Sequence, residues 1–179
     1  MRLRILSETD IDEPLGAEIR RGLCLCFPGA VETFSHTRAW HGSGPVYTVV
    51  LEDVETVAAH VGVLDRTIRV GAEQVRVAGI QNVYVLPELR GRWLADQVMA
   101  AAMEEAARRD FEAGMLFCVP RLERLYGRMG WRPTGDAVIR RVDENGADVP
   151  LPDENVGMYY PLGRETLGPG LIHLQGNDW

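Results

Sequence analysis

Apolar residues recur every fourth position from Ile11 through Leu15, Ile19 and Leu23 to Phe27, one face of an amphipathic helix. Thr9 or Asp10 is placed to cap it, and Pro28-Gly29 to end it. Before it, residues 2–7 alternate polar and apolar, as a short strand does. After it, residues 30–45 set Phe34, His36, Trp40 and His41 among small and polar residues, which reads as a loop with at most one helical turn. Three β-branched runs follow, at 46–52, from Thr56 toward Val70, and from Val75 to Val85, with turn residues between them. They predict an antiparallel meander. In the third run both parities are apolar, so that strand is central and covered on both faces.

A helix from about Trp93 to Arg109 comes next, with Leu94, Ala95, Val98, Met99, Ala102, Met103 and Ala106 on its apolar face. The apolar run Gly114–Val119 then predicts a strand parallel to the one before the helix, since a crossover connection joins parallel neighbours. Pro120 stops it, and a short helix, Arg121–Met129, ends at Gly130. Residues 142–155 hold five acids among turn residues, an exposed loop or hairpin arm, and Val156–Leu162 is the last strand. The predicted fold is α/β (α+β): a mixed central sheet, mostly antiparallel, with one splayed parallel pair and helices on both faces. With no internal repeat and no linker, residues 1–179 form one domain.

Composition narrows the function. The net charge of −7 argues against nucleic acid as a partner. No apolar run spans a bilayer and the N-terminus lacks the apolar segment of a signal peptide, so a cytoplasmic protein with no membrane partner is expected. Cys24, Cys26 and Cys118 are too few for a disulfide framework. The C-x-C pair has no second ligand pair near it, so no metal is expected.

The chemistry concentrates between Val83 and Ala95. A strand ending in Val83, Tyr84 and Val85 meets Pro87; the turn Arg90-Gly91-Arg92 and the start of a helix at Trp93, Leu94 and Ala95 follow. Backbone N–H groups at the positive end of a helix bind anions, and two arginines add charge there. Where Pro87 and Pro120 end the parallel pairing, free N–H and C=O groups on Val83–Val85 can take an extended, amide-containing arm as a pseudo-strand. Strand edge plus phosphate loop suits coenzyme A. Tyr126, on the helix after the next strand, is placed to protonate a departing thiolate.

These features resemble the GCN5-related N-acetyltransferase (GNAT) superfamily. Its acyl-CoA motif, Q/R-x-x-G-x-G/A, reads Arg90-Gly91-Arg92-Trp93-Leu94-Ala95, and its L/F-Y-x-x-x-G-F/W motif reads Leu125-Tyr126 and Gly130-Trp131. Within it, residues 56–71 look like the strand pair of nodulation N-acyltransferases. The loop, the Leu125–Trp131 motif and the acidic tail ending in Trp look like aminoglycoside 2′-N-acetyltransferases. Both groups acylate the amine of an amino sugar. The resemblance implies acetyl-CoA as co-substrate, Tyr126 as general acid and direct amine attack. It also implies a small amine acceptor (an aminoglycoside, other amino sugar or polyamine) and a homodimer. For the acceptor it points to Gln81 and Asn82 on the strand, and to Asp153, Asp178 and Trp179, with Asp143, Glu144 and Asp148, as an acidic set for a polycation.

Two positions depart from the pattern. Trp93 stands where the superfamily usually has glycine, and Gln81 where aminoglycoside enzymes of this type have an acid base. An amide takes no proton at neutral pH. Either water and another group such as His60 accept the proton, or the amine arrives neutral, or the enzyme acts on another substrate. A protein or peptide N-acetyltransferase and a non-catalytic acyl-CoA-binding module are the alternative readings.

Overall fold

The computed structural model describes residues 1–54, 56–168 and 170–179. The fold is mixed α/β. Its strands are β1 (Arg2–Ser7), β2 (Tyr47–Asp53), β3 (Thr56–Val70), β4 (Glu73–Val85), β5 (Ala113–Cys118), β6 (Arg132–Pro133), β7 (Val138–Val142), β8 (Asp148–Pro150), β9 (Val156–Pro161) and β10 (Leu171–His173). The α-helices are α1 (Glu13–Cys26), α2 (Val31–Phe34), α3 (Leu94–Arg108) and α4 (Glu123–Arg128). Two compact units divide the chain: Met1–Leu64 with Gln81–Glu104, and Asp65–Ile80 with Glu105–Trp179.

In the first unit β1, β2 and the start of β3 are antiparallel, with Ile5 opposite Val49 and Val50 opposite His60. The cap of α1 is Asp12, not Thr9 or Asp10: its Oδ1 accepts the Leu15 N–H at 3.0 Å, and Thr9 and Asp10 lie in a separate 3-10 turn. Pro14, in the first helical turn, favours this start because its fixed φ suits the first turn and its missing N–H costs nothing there. The predicted stripe holds. Ile19 and Leu23 are buried with Phe34, Val50, Val57, Tyr84 and Leu86, and Ile11, Leu15 and Phe27 pack against them. Val50 faces this cluster, so Tyr47, of opposite parity, faces the other side, where its hydroxyl donates to Ala102 O of α3 at 2.7 Å. Helices therefore cover both faces.

In the second unit β5 runs antiparallel to β9 along its length, from Ala113 opposite Pro161 to Cys118 opposite Val156. On its other side it is parallel to β4, as expected, and that ladder covers Val77–Gly79 against Ala113–Met115. Residues 142–155 make a hairpin, β7–β8, whose turn is tied by Asp143 accepting from the N–H groups of Asn145 and Ala147. Val156–Leu162 is not the final strand. Leu171–His173 forms β10, antiparallel to the end of β3 and parallel to β7. The sheet thus has a second parallel pair where one was expected. A three-residue strand carries too little alternation to be read from sequence. No helix among the described residues is long and apolar enough to cross a membrane.

Candidate active site

The first unit carries the strand edge and the anion loop. Leu86 N–H donates to Ala58 O of β3 at 3.0 Å. Successive residues of a strand point their N–H and C=O to opposite edges, so Tyr84 also faces β3, and Val83 and Val85 face away from it. Val85 O accordingly accepts from Arg90 Nε at 3.3 Å and from the Cys26 thiol at 3.6 Å rather than from a strand. Tyr84, expected to bind the cofactor, turns its backbone to β3 and its ring beneath α1. The ring is buried, stacks on His60 at 5.3 Å, and leaves its hydroxyl without a hydrogen-bond partner. Burial raises the Tyr84 pKa, so it stays protonated.

The expected loop is present. A 3-10 turn at Pro87–Leu89 leads to exposed Arg90, Gly91 and Arg92, and α3 begins at Leu94. The first N–H groups of a helix have no partner within it, which makes a helix start a favourable place for an anion. Gly91 has φ +78° and nothing within 4 Å of where a Cβ would sit. Trp93 has φ +60°, which explains why glycine is usual there: the left-handed region costs a side chain of this size of order 1–3 kcal/mol. Its indole is 60% exposed, so it does not plug the turn.

Within β4, Asn82 adopts φ +57°. Asn is among the few residues that tolerate it. Asn82 O accepts from His60 Nδ1 at 2.8 Å, and Asn82 Nδ2 donates to Arg38 O at 2.8 Å. Gln81 is buried, accepting from Trp40 N–H and donating to Ser43 O. Both residues are engaged with the 38–43 segment. Arg38 is paired with Glu8, yet Arg38 Nη1 and Glu8 Oε2 are buried without partners.

His60 is not a base for neutral pH. Burial, foremost, lowers its pKa from 6.5 to about 4. The unfolded chain takes up a proton near pH 6.5 and the folded chain does not until about pH 4. Stability supplied by neutral His60 is therefore present above pH 6.5 and lost as pH falls through that window, by up to about 3 kcal/mol. Urea titrations at pH 7.5 and 4.5 should show a smaller acid loss in His60→Gln, which keeps a donor toward Asn82 O but does not titrate.

Tyr126 lies on α4 in the second unit. It is 8% exposed, sits edge-on to Trp131 at 6.4 Å, and its pKa is raised by burial and by the nearby Cys118 thiol. Gly130 closes the helix at φ +92°. The acidic set disperses. Asp153 is exposed beyond the β8 strand. Asp178 is buried against Arg141 at 3.2 Å. Trp179 is buried on Phe117, donates to Met115 O at 3.3 Å, and has the Arg66 guanidinium over its ring. Asp178 and Trp179, expected among the acceptor-binding residues, are thus both buried in packing contacts. Asp148 pairs with Arg140. Among the described residues no group of three or more His, Cys, Asp or Glu could hold a metal ion. The Glu8–Arg38 pair and the Gln81 bonds were not foreseen; the only signal was two polar residues in an apolar strand.

The chain matches the model of the family "Nodulation protein A (NodA)" over residues 2–151. It is 32% identical over 145 residues to Nodulation protein A of Bradyrhizobium elkanii, covering 74% of this chain and 67% of that one. Among solved structures, the GNAT family N-acetyltransferase YhbS of Escherichia coli, in complex with CoA, aligns at TM-score 0.68 and 19% identity. That alignment covers 98% of this chain and 91% of YhbS. An aminoglycoside 6′-N-acetyltransferase complexed with coenzyme A aligns at TM-score 0.61 and 12% identity, over 90% of this chain and 97% of that one. At these identities the two structures speak for the fold alone. The chain belongs to the nodulation protein A family, and its fold is that of the GNAT N-acetyltransferase structures it aligns with.

Proposed function

We propose that the protein transfers an acyl group, with acetyl the first to test, from a CoA thioester to the primary amine of an amino sugar or small polyamine. One observation carries the reading: Val83 and Val85 direct their backbone groups away from β3, and the exposed Arg90-Gly91-Arg92 turn follows at the start of α3. The pantetheine amides pair with that edge and the diphosphate lies at the turn. A Val83 or Val85 N–H polarises the thioester carbonyl. The neutral amine attacks it, the C–N bond forms and the C–S bond breaks. Tyr126, given this role by its motif and its retained proton, donates that proton to the thiolate, and the proton shed by the nitrogen passes to solvent.

The test is thiol release from acetyl-CoA and longer acyl-CoAs against amino sugars, polyamines and peptide amines. Arg90→Ala together with Arg92→Ala should raise the acyl-CoA KM roughly 10–100-fold with kcat within a few-fold, the mark of lost uniform binding. CoA binding without thiol release to any amine would leave a binding module instead.

A further inference from the structure

Gln81 is 3% exposed, and both ends of its amide are used. Oε1 accepts from Trp40 N–H at 3.0 Å and Nε2 donates to Ser43 O at 2.8 Å. These are backbone groups at the two ends of one tight turn, Trp40-His41-Gly42-Ser43. It is closed by Ser43 N–H on Trp40 O at 2.9 Å, with His41 at φ +44° and Gly42 at φ +75°. Asn82 holds the same segment one step earlier, through Arg38 O at 2.8 Å. The amide is required. A carboxylate at position 81 could accept from Trp40 but could not donate to Ser43. The residue standing where related enzymes keep an acid is a clasp.

We infer that Gln81 and Asn82 are positioning residues for the acceptor, holding Trp40 and His41 as an aromatic wall against the strand edge at Val83. The inference rests on the function proposed above, which puts the thioester on that edge. The clasp grips β4 one and two residues before Val83, so an amine reaching the thioester passes the turn. The Trp40 and His41 rings lie 4.9 Å apart, and Trp40 is braced on Phe34 at 5.5 Å. His41 is exposed. An indole face attracts a cationic amine, and an aromatic body with a polar tip suits a ligand that is apolar on one face and polar at its rim. Arg38, whose carbonyl Asn82 holds, is paired with Glu8, and Arg38 Nη1 and Glu8 Oε2 are buried without hydrogen-bond partners.

Steady-state kinetics with glucosamine and kanamycin as acceptors test this, with acceptor and acetyl-CoA varied separately. Gln81→Ala, Gln81→Glu and Trp40→Ala should each raise the acceptor KM roughly tenfold and leave the acetyl-CoA KM unchanged. A general loss of structure would move both. Trp40→Ala decides the matter if the Gln81 variants melt early, since Trp40 is only partly buried. A higher kcat in Gln81→Glu would overturn the inference, because the position would then want a base. So would acceptor KM values within twofold of wild type in an enzyme that transfers normally, which leaves the proposed function standing. A wild-type protein that transfers to no amine removes both.

Discussion

Tyr126→Phe is expected to lower kcat by roughly 10²–10⁴-fold while the acyl-CoA KM stays within a few-fold, because only the proton donor to the departing thiolate is lost. Phenylalanine fills the same space, so the packing on Trp131 survives and thermal stability should match wild type. The Tyr126 pKa is raised, so the phenol keeps its proton across the ordinary assay range. Wild-type kcat should therefore show no alkaline decline from this group below about pH 10, the usual phenol value. Thiol release measured from pH 6 to 9.5 settles it. A variant as active as wild type at every pH would show that the thiolate leaves unaided.

The second large effect is structural. A Cβ on Gly22 of α1 would lie 2.4 Å from both Cζ and Oη of Tyr84. Gly22→Ala gains about 1 kcal/mol of helix propensity, but it drives a methyl into a buried ring held by His60. The steric term wins because the ring is buried and stacked on His60, so its end cannot swing aside. We expect a net loss of about 1–3 kcal/mol, a fall in Tm of several degrees. Repeating the change with Tyr84→Leu, which lacks the clashing atoms, should recover most of the difference in urea unfolding. An equal penalty in both backgrounds would place the cause elsewhere.

The long elements were legible because their periods are long. The α1 stripe repeats over seventeen residues, and β3 and β4 run for fifteen and thirteen residues. The parallel β4–β5 ladder followed from the crossover through α3. Shorter or conformational features were not. Nothing local to Leu171–His173 marks a strand, since its pairing partners Arg69–Val70 and Val138–Arg140 lie far off in sequence. The Trp93 departure became intelligible only with its dihedral, since a bulky residue at φ +60° is uncommon. Gln81 looked like a missing base because sequence shows which atom types a side chain carries, not which backbone groups it meets. Asp178 and Trp179 looked available to solvent, yet Arg141 and Arg66 draw that segment inward.

β10 carries a consequence for biosynthesis. It lies between the end of β3 and the β7–β8 hairpin, so neither has its partner until residues 171–173 have left the ribosome. Until then a nascent chain presents two unpaired strand borders, the kind that recruit strands from neighbouring molecules. Variants lacking Leu171–His173 should be lost to aggregation during expression even though their chemical groups are intact.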